Sequence, residues 1–499
     1  MSMKLIQRLS RQMVLGVAVV IISVWCGLSS ASAQISNVKI SLQPESSRTV
    51  IEADGLDMST WSFPDSYAGI VGLGSRLERF VAFDENSKEI SVRKSAPGQF
   101  ESSKPATRVQ YELNIAPPRR AADCAMVSWL EKERGLLMLA DLLPVTGREP
   151  SAGHLKIKFE LPASWTINTS DTQISKDEFD IADISRAVVA VGARLRLTQA
   201  QESGMTLNLV SGGDWAFSET DVIDLARKVL KAHRETFGSS FASSATFILF
   251  PFPIPVGATQ WSAETRGTTV TLLSGKLPSK VSALAQLSTP LTHEFFHLWV
   301  PNAVALQGDY DWFYEGFTIY QASQTAVKLG LLTFPEFLTS IARAYDSSKN
   351  NADLSLIEAS RRRFTGGLTS VYAKSQVVAF IYDLRLRSSS HNKRTPGELY
   401  RTLFARFKVD DKRAKSVDAN MAVTTALSEV LGADDFVGSF INRPAVINLA
   451  SELAPFGLKT ESIGTRTQIS VSDKLSKQQR DLLRDLGYNA ATHATRQVN

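Results

Sequence analysis

The pentapeptide His293-Glu294-Phe295-Phe296-His297, followed after seventeen intervening residues by Glu315, constrains this chain more than any other feature. On a helix, two histidines four apart lie about 40° apart around the axis and roughly 6 Å apart along it, so both imidazoles can reach one ion. Glu315 has to come from a second element packed against the first. The spacing therefore demands two neighbouring helices, each apolar enough to be buried and each presenting a ligand to a shared cleft. Leu291, Phe295 and Leu298 supply packing for the first helix, which Thr289 and Pro290 are expected to open as cap and first turn. The second is predicted from Asp311 to Lys328, with Phe313, Phe317, Tyr320 and Val327 for packing and Gly330 as its stop.

Two histidines and a carboxylate suit zinc, with one coordination position left open for water. Glu294 lies between the histidines and is placed to take that water's proton as general base. The expected chemistry is amide hydrolysis, with His293, His297 and Glu315 as metal ligands.

The remaining chain divides by pattern. Residues 1–33 read as a secretory signal: Lys4, Arg8 and Arg11 lead an apolar run from Met13 to Leu28, and Ala31-Ser32-Ala33 offers a small-residue cleavage site. The protein is accordingly expected to be exported, to the periplasm or beyond, and to start near Gln34 once processed. Removing those three basic residues lowers the formal charge from +5 to +2, so the basic balance says little about partners. No basic face with interleaved aromatics points to nucleic acid, and Arg361-Arg362-Arg363 reads as a solvated loop. Past the signal, no apolar run is long enough to span a bilayer. Cys124 is left without a pairing partner after processing and reads as a buried thiol.

Residues 34–212 carry short alternating runs, including Asn37–Leu42, Val109–Ile115, Leu155–Leu161 and Ala187–Leu197, broken by Pro117-Pro118, Ala152-Gly153 and Pro162. This predicts a β-sandwich-like domain. Residues 213–448 are mainly helical, opening with a helix over Thr220–Phe237 and strands at Ala245–Phe250 and Gly267–Leu273. Residues 449–499 form a short carboxy-terminal segment of strand-like runs and a helix over Ser476–Leu486, ending in a polar tail. The fold class is α+β.

These landmarks together resemble the glycyl aminopeptidase family of zinc peptidases, within the gluzincin group. Leu161-Pro162-Ala163-Ser164-Trp165 resembles the family's LPxGW stretch, and the segment from Trp261 to Thr269 resembles GLEHxxST. Tyr372-Ala373-Lys374 with Asp383-Leu384-Arg385-Leu386-Arg387 resembles YxKG and LDLxIR. The resemblance implies a thermolysin-like catalytic domain, Zn2+ as cofactor, and peptides with a free amino terminus as substrates. It implies further that Glu264 binds that amino group and that Tyr372 donates a hydrogen bond to the oxyanion. Thr265 and Ser375 depart from the family's histidine and glycine, and the stretch between His297 and Glu315 is shorter than in many members. The tail has no room for the PDZ module that members often carry. These departures leave side-chain preference open, along with two other readings: a zinc endopeptidase in which Glu264 is structural, and a non-catalytic binding protein on a peptidase fold.

Overall fold

The computed structural model describes residues 37–145, 154–351, 353–409, 417–432 and 435–489. The signal-like segment, its cleavage site and the final ten residues lie outside them. Among the described residues no helix is long and apolar enough to cross a membrane.

Three sheets are stacked in the amino-terminal half of the chain and its continuation. The largest has nine strands, built on the antiparallel pair Arg48–Ser62 and Gln99–Asn114, with Asn37–Gln43 bridging the former to Leu155–Glu160. The predicted run Val109–Ile115 is the end of that second long strand. A four-stranded sheet (Thr166–Thr169, Val188–Gly192, Arg134–Met138, Trp129–Leu130) packs on it to complete the sandwich. Every residue of Val188–Gly192 is buried, because this sheet is covered on both faces. Val189 and Val191 point into the sandwich, while Val188 and Ala190 meet Val210, Ile248, Phe250 and Leu273 of the third sheet.

That third sheet has five strands, ordered Arg196–Glu202, Met205–Ser211, Ser244–Pro251, Thr269–Ser274 and Trp261–Arg266. The middle three run parallel, and Trp261–Arg266 is an antiparallel edge strand. Its first two strands fall inside 34–212, yet they pair with the helical half. The predicted single run Ala187–Leu197 is in fact split between two sheets. The break is the turn at 193–195, just after Gly192, where a Cβ would come 2.9 Å from the Glu133 carbonyl oxygen.

Alternate residues on the far face of this sheet, Leu207, Leu209, Phe247, Leu249 and Leu272, share a core with helices α1 (Glu219–Phe237) and α2 (Lys280–His297). A Ser218–Asp221 capping box opens α1 and left-handed Gly238 closes it. The start expected for α2 at Thr289 and Pro290 is ten residues late: Ser279 caps the helix and Pro290 lies inside it. Ala283, Leu287, Leu291 and Phe295 form one buried face at a spacing of four, and that burial offsets the roughly 3 kcal/mol an interior proline costs.

The second ligand-bearing helix begins with a widened, π-helical stretch over Trp312–Phe317 and continues as α3 (Thr318–Lys328). After α4 (Phe334–Ser348) and α5 (Leu356–Arg361), a second π-helical stretch over Ser370–Lys374 leads into α6 (Ser375–Ser389). The two widened stretches pack on each other through Gly316, where a Cβ would sit 2.6 Å from the Val371 carbonyl oxygen. Further helices finish this half. The segment after residue 448 opens with a short helix, Leu449–Leu453, before the hairpin Leu458–Ile463/Arg466–Val471, and ends with the capped helix Lys477–Asp485.

Candidate active site

One turn of α2 brings His293 and His297 together, with their Nε2 atoms 3.0 Å apart. Glu315, from the widened stretch, places Oε2 at 3.3 Å from one Nε2 and 3.6 Å from the other. The three donors converge within 4.8 Å, so they can hold a metal ion. The surroundings fit that task. Nδ1 of His297 lies 2.9 Å from the Val300 carbonyl, which can only accept, so Nδ1 carries a proton and Nε2 is the nitrogen turned to the cluster. The other Glu315 oxygen, Oε1, accepts from Arg363 Nη2 at 3.0 Å. Burial opposes charge on both His297 and Glu315, but their mutual attraction prevails: the His297 pKa rises to about 9 and that of Glu315 falls well below the usual range.

Arg363 is the main residue that sequence reasoning missed. Its side chain is only 16% exposed, whereas Arg361 and Arg362 face solvent as expected. The guanidinium also donates from Nη1 to Asp311 Oδ1 at 2.6 Å and contacts the Tyr372 hydroxyl. Asp311 lies one helical turn before Glu315, but nothing in the sequence ties it to an arginine fifty-two residues away.

Glu294 is buried beside the ligands, and its carboxylate Oε2 accepts from Thr265 Oγ1 at 2.8 Å. Thr265 belongs to the edge strand, one residue after Glu264. Tyr372 rides on the second widened stretch. Burial, then Glu315, raises its pKa, so the phenol stays protonated and keeps a proton to donate. Glu264 accepts from Tyr67 at 2.5 Å and lies 3.6 Å from Arg266 Nε, both contacts falling on Oε1. Burial lifts its pKa, against the pull of Arg266. Tyr67 comes from the amino-terminal domain, 197 residues away in sequence.

All six predicted site residues therefore meet at one place. His293, Glu294, His297, Glu315, Tyr372 and Glu264 line a cavity of about 430 Å³ together with Tyr67, Thr265 and Arg363. A second, largely apolar recess of about 310 Å³, lined by Trp261, Ile319, Ala322 and Leu332 among others, opens beside it and shares His293 and Tyr372.

Comparison with known proteins bears on the amino-terminal domain and on the fold. Residues 28–188 match the family model described as the Peptidase M61 N-terminal domain. The fold is shared with an aminopeptidase N family protein from Idiomarina loihiensis, at a TM-score of 0.72 and 16% identity, over 85% of this chain and 79% of that one. The chain thus resembles the gluzincin peptidases in its amino-terminal domain and in its fold. A second relative in fold is a mutant M1 zinc metallopeptidase from Deinococcus radiodurans bound to a Tyr-Ser-Ala substrate. The chain aligns with it at a TM-score of 0.53 and 14% identity, over 82% of its own length and 95% of the other chain. At such identities the likeness is one of fold. No curated protein sequence matches significantly.

Proposed function

We propose that this protein is an exported zinc aminopeptidase of the gluzincin type that removes amino-terminal residues from unblocked peptides. Bound at His293, His297 and Glu315, zinc would supply a Lewis acid and a water acidic enough to ionise near neutral pH. Glu294, held by Thr265, is placed to accept a proton from an attacking water and would return it to the departing amine. Tyr372 donates its hydroxyl proton to the oxygen on which charge develops; the Arg363 guanidinium at the same hydroxyl favours that alignment. The apolar recess beside His293 and Tyr372 suits a non-polar side chain next to the bond being cut.

The observation that carries the aminopeptidase reading is Glu264. Its Oε1 is engaged by Tyr67 and Arg266 and the residue lines the cavity, so that a substrate ammonium entering there could pair with its carboxylate. The rival endopeptidase reading draws on the same residue, since a carboxylate already near Arg266 can serve structure alone. Export is supported by the composition of residues 1–33. Amino-terminal sequencing of protein recovered from the cell envelope and medium tests it, and an intact amino-terminal segment on cytoplasmic protein would refute it.

A peptide mixture containing free and acetylated forms of each sequence, followed by mass spectrometry, tests the activity. The expected result is sequential loss of first residues from free peptides, no cleavage of acetylated ones, and no reaction by Glu294→Gln. Internal cleavage of acetylated peptides would favour the endopeptidase. Inactivity of zinc-loaded wild type on every peptide would favour a binding protein.

A further inference from the structure

A hairpin of the amino-terminal domain, Ser66–Tyr67 paired with Ile70–Val71, ends over the metal cavity. Ala68 and Gly69 form its turn with φ of 48° and 82°, the left-handed pair that a tight two-residue turn needs. Its two sides touch opposite walls. On one, Tyr67 donates to Glu264 and its ring lies 4.1 Å from the Arg266 guanidinium. Arg266 is itself anchored on the Met126 carbonyl at 2.6 Å, so this wall is fixed to the amino-terminal domain. On the other, Gly69 lies against the Phe364 ring so closely that a Cβ would come 2.9 Å from Cδ1. Phe364 directly follows Arg363, whose guanidinium holds Glu315. The hairpin thus runs from the wall proposed to bind the amino group to the wall that carries the third ligand.

We propose that residues 66–71 form a steric stop that closes the cleft just beyond Glu264 and so restricts this peptidase to chain ends. The inference rests on the aminopeptidase reading and adds the element that enforces it. Glu264 alone discriminates weakly. Because Tyr67 and Arg266 already engage its Oε1, a blocked substrate leaves it without an ammonium but not without partners, and the cost of that loss is modest. Strong rejection of a blocked or internal segment needs a repulsive element as well as an attractive one. The hairpin occupies the space into which such a segment would continue.

The test compares kcat/KM on matched free and acetylated peptides for zinc-loaded wild type and three variants. In the first, two glycines replace residues 66–71. In the second, Phe364→Ala removes the contact on the far wall; Phe364 is 57% exposed, so its loss spares the core. The third, Tyr67→Phe, removes the donor to Glu264 and keeps the hairpin. The wild type should prefer free peptides by at least about 1000-fold. The shortened variant should lose at least tenfold of that preference by gaining cleavage of acetylated peptides, and Phe364→Ala should lose part of it in the same way. Tyr67→Phe should raise KM for free peptides without gaining cleavage of acetylated ones.

A shortened variant that keeps native near-ultraviolet circular dichroism, zinc content and the full wild-type preference would overturn the proposal. If that variant does not fold, an unchanged preference in Phe364→Ala overturns it instead. Cleavage of acetylated peptides by wild type is a different outcome: it removes the aminopeptidase reading itself, whatever the variants do.

Discussion

Thr265→Val offers a sharp test of the proposed chemistry, because it changes one hydroxyl and little shape. Thr265 Oγ1 lies 2.8 Å from Glu294 Oε2 and 3.0 Å from the Glu294 carbonyl oxygen, yet it has one proton to give. The charged carboxylate is the stronger acceptor, so the proton is assigned there. A hydrogen bond to a charged group is worth about 1.5–3 kcal/mol. Its role is to hold Glu294 with the other oxygen toward the water, so the loss should fall on the chemical step more than on substrate binding. That energy corresponds to a fall in kcat of roughly 10- to 150-fold, with KM changing by less than about threefold. The assay is hydrolysis of an amino-acid anilide by variants matched in zinc content. Thr265→Ser keeps the donor and should recover most of kcat. If the serine variant is as slow as the valine variant, or if valine raises KM while sparing kcat, Thr265 packs rather than positions and the reasoning fails.

Tyr372→Phe removes the oxyanion donor and should lower kcat by about 100- to 1000-fold while leaving zinc stoichiometry intact; unchanged kcat would assign Tyr372 to packing. Arg363→Met leaves Asp311 and Glu315 without their shared cation, a loss of about 3–5 kcal/mol in the metal-free protein. Bound zinc gives Glu315 another partner, so thermal unfolding should show a larger loss without zinc than with it, and equal losses would refute the pairing. In the metal-free protein, Glu315 holds a proton on His297 up to about pH 9, against 6.5 for an ordinary imidazole. That proton's stabilisation is complete below about pH 6.5 and is lost as pH rises through 9, so the metal-free form should weaken over that window. Zinc must displace the same proton, so its apparent affinity should rise by up to about tenfold per pH unit from 7 to 9 and then level. A chelator-buffered titration giving a flat profile would contradict this.

The metal cluster was legible because its geometry is local: His293 and His297 share one helix, and Glu315 opens the next. The sandwich strands were legible from alternation. What local pattern could not supply was the partner of each surface. Thr289-Pro290 reads as a helix start, and only the buried Leu287 and Leu291 on either side of Pro290 show why the helix has already begun ten residues earlier. Ala187–Leu197 reads as one β run, because the turn at 193–195 that sends the chain to another sheet carries no glycine or proline to mark it. Arg363 looked solvated beside two arginines that are. Its burial depends on Asp311, Glu315 and Tyr314 arriving from a separate helix. Tyr67 is the extreme case, since its partner Glu264 lies 197 residues away and on another sheet.

The four-stranded sheet has a consequence for inheritance. Because Val188 and Ala190 are mated to one neighbour and Val189 and Val191 to the other, it belongs as much to the peptidase half as to the sandwich. A gene fragment beginning after residue 193 would encode a five-stranded sheet with Val210, Ile248, Phe250 and Leu273 bare to water, an adhesive surface rather than a usable module. The two halves are therefore not freely shuffled parts. A lineage that keeps the catalytic helices must keep the sandwich, and with it the hairpin that reaches into the cleft.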